Sequence, residues 1–313
     1  MNSLDRRIIF VQGTTASGKS DWALRLAQKF KGVIFNCDSI QVYKKLDIGS
    51  AKPSVQERAL LPHNLFDYVS APNEMTAGQY ARDFEETLKQ VPVTTPIFVV
   101  GGTGFYFMAI EKGMYPVQSV SEDLRLQVEK EIQEEGGAGR LWKELREKDP
   151  EYATKLHEAD HYRLGRAIEM IRSGGKSVTE VQAEFKNRKS EFPYPLLKIA
   201  PRWEREELAE RIQKRTDKML SSGLIEEVQG LLDEGLESWA PLQSVGYREV
   251  LEYLSGKISR EDLSPRISQG TRQLAKKQRT WFQRDSEIQW FDGKIGWSNL
   301  ESRVEEFLGS LTQ

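Results

Sequence analysis

One cysteine, Cys37, and three histidines, His63, His157 and His161, are all that 313 residues contain of those types. A disulfide scaffold is excluded, and a Cys/His zinc site has too few ligands to draw on. Long apolar runs are missing too. None approaches a membrane span, and Met1–Arg7 is not followed by an apolar segment of signal length. The expectation is a cytoplasmic protein with no membrane partner. Nor is there an excess of charge of one sign: 45 Lys and Arg stand against 47 Asp and Glu, a net charge of -2. There is no global basic field, so any nucleic-acid surface has to be a local patch. At 38% hydrophobic residues the composition is that of a soluble protein with a sizeable core, long enough for one large domain or two smaller ones.

What is present is a glycine-rich turn of G-x-x-x-x-G-K-S form: Gly13, Thr14, Thr15, Ala16, Ser17, Gly18, Lys19 and Ser20. The apolar run Ile8–Val11 precedes it, and a helical pattern of Trp22, Leu24, Leu26, Ala27 and Phe30 comes after. A strand, such a turn and a helix make a phosphate cradle. The glycines let backbone N–H groups converge, the helix N-terminus adds a positive dipole end, Lys19 brings a full charge, and Ser20 is placed to coordinate Mg²⁺. The flanking strand and helix argue against a chance match in a Gly/Ser-rich loop.

The chain continues in α/β rhythm. A second strand, Val33–Cys37, runs into Asp38 and Ser39, and a third, Pro96–Val100, ends in Gly101-Gly102-Thr103-Gly104. In a parallel sheet ligands sit beyond the carboxyl ends of the strands, so Asp38 and Thr103 should face the same crevice as the phosphate loop. Residues 46–53 read as an ordered loop, Leu65–Val69 as a short strand, and Thr76 as the cap of a helix carrying Tyr80, Phe84 and Leu88 on one face. Phe105 and Phe107 are expected in the core. From Pro116 the texture changes to charged, helix-favouring sequence, which suggests a small helical domain of residues 118–195 inserted into a core of residues 1–117 and 196–313. Within it, Arg163 and Arg166 lie one helical turn apart, which pattern alone reads as a solvated face. After the insert come a strand at Leu196–Ala200, a helix from about Arg202 to Ser222 bearing Arg211 and Arg215, and a helix from Leu224 to Glu234. A loop, Leu242–Glu249, then opens into a short helix.

The last distinctive element starts at Ser259, which with Asp262 resembles a capping box. From Ser264 to Arg284 there is no acidic residue, while Arg266, Arg272, Lys276, Lys277, Arg279 and Arg284 are all basic. Ile267, Leu274 and Trp281 recur at every seventh position and suggest a buried stripe, with Arg272, Lys276 and Arg279 on one exposed face. A plain solvated face would mix signs, so this face points to a phosphate backbone. An amphipathic tail helix runs to Leu311.

A phosphate loop first suggests an ATP- or GTP-dependent kinase or NTPase. Such sites also carry an acidic residue for Mg²⁺ at a strand end. The strand ending in Gly101-Gly102-Thr103 has none, and Asp38 is the available carboxylate, as a metal-associated group or a general base. The loop is thus put to a variant use. Here the chain resembles the tRNA dimethylallyltransferases, also called tRNA isopentenyltransferases, over nearly its whole length. The resemblance is carried by Gly13–Ser20, Asp38–Tyr43, Asp47–Pro53, Gly101–Tyr106, Arg163–Met170, Val245–Glu249 and Thr271–Gln278 with Thr280–Phe282, in the family's order. Departures are Thr14 for a usual proline, Cys37 for alanine or valine, Ile40 for methionine and Tyr162 for a polar residue. None removes a reactive group.

The resemblance implies an α/β fold: a P-loop NTPase-like core with a parallel sheet flanked by helices, plus the small inserted all-helical domain. It implies transfer of a dimethylallyl group from dimethylallyl diphosphate to N6 of adenosine 37, with Mg²⁺ near Ser20. The phosphate loop and Arg211 would bind the diphosphate, Arg215 would stabilise the leaving group, and Asp38 would act on N6–H, with Thr103 as a second polar contact. The adenine has to be flipped into a channel lined by Asp38, Ser39, Ile40 and Gln41. Arg125, Arg163 and Arg166 on the insert, Gly246, Tyr247 and Arg248, and Arg272, Gln273, Lys276, Lys277 and Arg279 would hold the anticodon stem-loop with adenosines 36 to 38. A monomer is expected. Three other readings stay open: an adenylate isopentenyltransferase, a P-loop small-molecule kinase or NTPase that binds ATP, and a noncatalytic RNA-binding protein. The insert and the basic helix argue against the first, and the intact Lys19, Ser20, Asp38 and Thr103 against the last.

Overall fold

Apolar runs without alternation belong to strands covered on both faces, and a computed structural model bears this out for the runs around the glycine turn. It describes residues 6–114, 120–187 and 192–309. The chain divides into two compact units, Met1–Glu111 with Phe192–Gln313, and Lys112–Glu191. Pro116, the expected boundary at 117/118 and the end of the tail helix at Leu311 lie outside the described residues.

In the first unit, β1 (Ile8–Gln12), β2 (Val33–Asn36), β3 (His63–Asn64), β4 (Ile97–Gly101), β5 (Leu196–Arg202) and β6 (Gln289–Asp292) form one parallel sheet in the order β3-β2-β4-β1-β5-β6. Ile8 pairs with Ile97 on one side and Leu196 on the other, and Val33 also pairs with Ile97. The register aligns the carboxyl ends of β2, β4 and β1 side by side. The glycine loop, Asp38 and Thr103 therefore emerge along one edge.

Helices alternate with the strands: α1 (Lys19–Lys29), α2 (Val55–Leu60), α3 (Ala77–Lys89) and α4 (Gly104–Lys112). Trp22, Leu26 and Ala27 of α1 pack with Ile9, Val11, Ile34, Phe98 and Ile199 on one face of the sheet. On the other, Phe10 meets Phe107 at 4.9 Å and Phe35 meets Phe84 at 5.3 Å. Thr76 caps α3 as expected, accepting from the Gln79 amide at 3.1 Å. The strand expected at Leu65–Val69 is not formed. Leu65 and Asp67 adopt left-handed φ of 63° and 53°, which breaks the extended run, and Val69 makes only an isolated bridge to Tyr43. Phe107 is buried, but Phe105 is 41% exposed. It opens α4 at the sheet edge and turns its ring edge-on to Trp281 instead of into the core.

The second unit holds α5 (Glu122–Gln133), α6 (Gly137–Lys148), α7 (Pro150–Ala153), α8 (His161–Gly174) and α9 (Val178–Asn187). They close around Val128, Leu141, Trp142, Leu145, Leu164 and Ile168. The first unit then continues with α10 (Arg205–Ser221), α11 (Leu224–Asp233), α12 (Tyr247–Leu254), α13 (Arg260–Phe282) and α14 (Trp297–Gly309). The Ser259–Asp262 capping box that opens α13 is formed. The seventh-position stripe is not. Ile267 is buried, whereas Leu274 and Trp281 are 36% and 39% exposed; the buried positions are Leu263, Ile267, Ser268, Ala275 and Phe282. Ser268, Ala275 and Phe282, each one residue further on, are the buried positions that recur every seventh residue, so the core face is offset by one position from the expected stripe.

Candidate active site

The glycine loop reaches its shape through backbone that few residues adopt. Gly18 has φ +85°, and a Cβ there would meet the Arg211 guanidinium at 3.1 Å. The loop is braced from outside: Arg211 Nε donates to the Ala16 carbonyl at 2.7 Å while stacking on the Trp203 ring, and Trp203 Nε1 donates to the Ser17 carbonyl at 2.8 Å. Within the loop, Lys19 is buried and its Nζ donates to the Thr14 carbonyl at 3.1 Å. Burial pushes its pKa down to about 8, with the Asp38 charge opposing and Arg215 reinforcing. Ser17 Oγ is buried without a partner among the described residues, and Ser20 is exposed on the first turn of α1. A desolvated cation and an unpartnered hydroxyl in one glycine loop suit an anion that is brought in by a substrate.

Asp38 lies one residue past Cys37 at the end of β2. Asn36 shapes the turn, accepting from the Asp38 amide at 3.0 Å and donating to the Asp38 and Leu65 carbonyls. Asp38 Oδ1 accepts from the Ile40 amide at 3.0 Å; Oδ2 accepts no hydrogen bond from the described residues. Thr103 ties the neighbouring strand to this turn, since its Oγ1 accepts from the Ser39 amide at 2.9 Å and lies 3.2 Å from Ser39 Oγ. Arg215 of α10 donates through Nη2 to the Ser50 carbonyl at 3.4 Å, and burial lowers its pKa against the Asp38 charge.

Asp38, Arg215 and Thr15 line one solvent-open cleft of about 600 Å³. Its other walls include Ile40, Met219, Val245, Ile267 and Leu274. The cleft thus pairs an anion-seeking end and a carboxylate with an apolar wall. Gln41 does not line it, and donates to the Ser50 and Ala51 carbonyls at 3.0 and 3.2 Å.

The residues expected to hold RNA are distributed over both units. Arg272, Gln273, Lys276 and Lys277 are exposed on α13, and Arg279 is partly so. Arg248 is exposed and pairs with Glu249, whose other oxygen accepts from the Gly246 amide at 2.7 Å. Tyr247 is fully buried with its hydroxyl on Glu227, so its side chain serves the interior and not a surface. In the second unit, Arg125 is exposed on α5, and Arg163 and Arg166 are exposed on α8, paired with Asp160 and Glu169.

Two site residues, Trp203 and Glu227, escape sequence reading, and a third, Gln278, is read only as part of the Thr271–Gln278 motif expected to hold RNA. Gln278 of α13 accepts from the Thr15 amide at 2.8 Å and donates to the Gly102 carbonyl at 3.0 Å, joining the two glycine turns. It is an uncharged residue among cations, and that contrast, with its place in the motif, is its sequence signal. Trp203 and Glu227 offer none, because each acts through a partner remote in sequence.

Residues 41–285 match the profile of the family described as IPP transferase, and residues 6–62 that described as Isopentenyl transferase. A tRNA dimethylallyltransferase of Bdellovibrio bacteriovorus is 63% identical, covering 97% of this chain and 98% of the relative. One of Geobacter sulfurreducens is 36% identical, covering 97% of each. Among solved structures, the full-length tRNA isopentenylpyrophosphate transferase of Bacillus halodurans superposes with a TM-score of 0.71 at 27% identity, covering 97% of each chain. A eukaryotic dimethylallyltransferase acting on tRNA gives 0.77 at 25% identity, covering 96% of this chain and 78% of the other.

Proposed function

This chain belongs to the tRNA dimethylallyltransferase family, and from that premise we infer how its P-loop NTPase-like core is used: it transfers a dimethylallyl group from dimethylallyl diphosphate to N6 of adenosine 37 beside the tRNA anticodon, releasing pyrophosphate. The observation that carries the reading is a cleft in which Asp38 and Arg215 meet Thr15 of the phosphate loop against apolar walls. A kinase has no use for an apolar wall at the reacting end. A five-carbon allyl tail does.

In the proposed reaction the allylic C–O bond breaks, the electron pair leaves with pyrophosphate, and the N6 lone pair forms the new C–N bond. The N6 lone pair is delocalised into the purine, so the nucleophile is weak. The free Oδ2 of Asp38 would accept the N6–H hydrogen bond and take the proton as the bond forms. Ile40 N–H holds Oδ1 and Thr103 holds the turn, so the carboxylate is aimed before the base arrives. Charge growing on the leaving group would meet Lys19, the loop amides and Arg215. A bound diphosphate favours protonated Lys19, which offsets the effect of burial.

The loop fits a magnesium ion held largely by the donor's own phosphates. Ser20 offers one hydroxyl, and Mg²⁺ keeps waters and substrate oxygens in preference to an all-protein cage. When bound, it would neutralise part of the diphosphate charge. For the acceptor, we propose that the basic face of α13 meets the RNA backbone, with Arg125, Arg163 and Arg166 adding contacts from the inserted helices. No described helix is long and apolar enough to cross a membrane. We propose that the enzyme is cytoplasmic, because its substrate is tRNA, and that it acts as a monomer.

The test is to incubate the protein with radiolabelled dimethylallyl diphosphate, Mg²⁺ and unmodified tRNA carrying adenosine 37. Label should enter the tRNA. Label entering only AMP, ADP or ATP would favour an adenylate acceptor, and ATP turnover without prenyl transfer would sink the reading. Replacing Lys276 and Arg279 by Gln should weaken tRNA binding and lower its salt slope by about 1 for each phosphate no longer neutralised. Titrating tRNA at several salt concentrations checks this, and an unchanged slope rejects the basic face of α13 as the site that meets the backbone.

A further inference from the structure

The loop of residues 46–53 has no repeating structure, yet Gly49 and Ser50 form part of the cleft wall. A carboxylate from outside the loop orders it. Glu227 of α11 accepts from three consecutive amides: Oε2 from Asp47 at 3.1 Å and Ile48 at 2.7 Å, and Oε1 from Gly49 at 3.1 Å. The Tyr247 hydroxyl is its fourth donor, at 2.7 Å to Oε1. Burial, reinforced by the Glu227 charge, pushes the Tyr247 pKa well above its usual value, so the hydroxyl stays a donor. The Tyr247 ring lies so close to Gly49 that a Cβ there would overlap it. Three converging amides make an anion nest of the kind that often holds phosphate. Here the protein fills the nest with its own side chain, so the nest serves to fix the loop.

The fixed loop has one polar outlet toward the reaction. The Ser50 carbonyl accepts from Arg215 Nη2 at 3.4 Å, the only hydrogen bond Arg215 makes among the described residues. The same carbonyl accepts from Gln41 Nε2 at 3.0 Å, and Ser50 Oγ closes the turn by donating to the Leu46 carbonyl at 2.6 Å. Lys52 holds the far end, donating to the Tyr43 carbonyl at 2.8 Å and pairing with Asp47 and Asp67. A guanidinium has five N–H donors. Tethering one leaves the others for a ligand while limiting where the group points.

We propose that Glu227 is a positioning residue for prenyl transfer: by holding the amides of residues 47–49 it sets the Ser50 carbonyl that aims Arg215 at the leaving diphosphate. The proposal rests on the reaction and the role of Arg215 inferred above. A misplacement of about 1 Å away from the chemistry can cost about 10²-fold in rate, so a loop held this firmly has a kinetic consequence.

The experiment is a double-variant cycle. Single-turnover transfer is measured for the wild type, Glu227→Gln, Arg215→Ala and the pair, alongside tRNA affinity and Tm. Glu227→Gln should lower the transfer rate by about 10- to 10²-fold with tRNA affinity close to wild type, and should lower Tm, because the amide NH₂ that replaces one oxygen faces donors. In the Arg215→Ala background it should cost nothing further, because residues acting through one group are not additive. A multiplicative loss in the pair would show that Glu227 acts elsewhere and overturns the proposal. A wild-type rate in either single variant overturns it as well. If Glu227→Gln does not fold, Tyr247→Phe replaces it in the same cycle. That variant keeps the three amide bonds, and its smaller loss should also vanish in Arg215→Ala. No transfer by the wild type would overturn the functional reading itself, so the two failures are distinct.

Discussion

Asp38→Asn is expected to lower kcat by about 10²- to 10⁴-fold, the usual loss when a positioned general base is removed, with tRNA affinity nearly unchanged. Asparagine keeps an Oδ1 that can accept from the Ile40 amide, so the turn at the end of β2 survives. What changes is the second atom. Oδ2 accepts nothing from the described residues, and in Asn its place is taken by an NH₂ that can only donate. Facing N6–H, it sets donor against donor and leaves the proton with no acceptor. Binding energy drawn from phosphate contacts on α13 should be indifferent to this change, because those contacts are salt-dependent and distributed. Single-turnover rates at saturating tRNA, with tRNA titrations alongside, separate the two quantities. Comparable losses in rate and affinity would make Asp38 a binding residue.

That assignment is legible in the sequence because strand ends are. The unbroken apolar runs of β1, β2 and β4 mark buried parallel strands, and a parallel sheet gathers the residues just past its strands on one edge. Asp38, Thr103 and Lys19 can be grouped on that ground alone. Arg211 and Arg215 are legible as a pair on one helix, but pattern does not separate their tasks. Arg211 spends Nε on the outside of the loop, and Arg215 points into the cleft. Side chains that act across the fold are hidden. Glu227 reaches residues 47–49, and Gln278 reaches Thr15 and Gly102. Neither pairing has a periodic signal, because each depends on how α11 or α13 packs. The same reason misplaces Phe105, Leu274 and Trp281. Apolar character predicts burial, but Leu274 lines the cleft and Phe105 and Trp281 meet each other edge-on, and all three stay partly exposed. Tyr247 errs the other way: a motif resemblance suggests RNA contact, and packing makes it an interior prop for Gly49.

Lys19→Met should lower kcat/KM for the donor by about 10²- to 10³-fold, the range for losing one group that stabilises developing negative charge. It should also change the shape of the pH profile, and that is the sharper test. Burial brings the Lys19 pKa down to about 8, with Arg215 adding to the effect and Asp38 opposing it. The free enzyme therefore holds a protonated Lys19 below that value and loses the charge as pH rises through it. A diphosphate binds the charged form better, so by linkage the pKa must rise in the complex. Since kcat/KM reports the free enzyme and kcat the bound complex, the donor kcat/KM should fall above pH 8, while kcat falls only at higher pH. In Lys19→Met the falling limb of kcat/KM should disappear, because methionine fills similar space without a proton to lose. Persistence of the limb would assign it to another group. A flat wild-type profile would mean that Lys19 keeps its charge in the free enzyme, and that burial in the loop is compensated more fully than Asp38 alone provides.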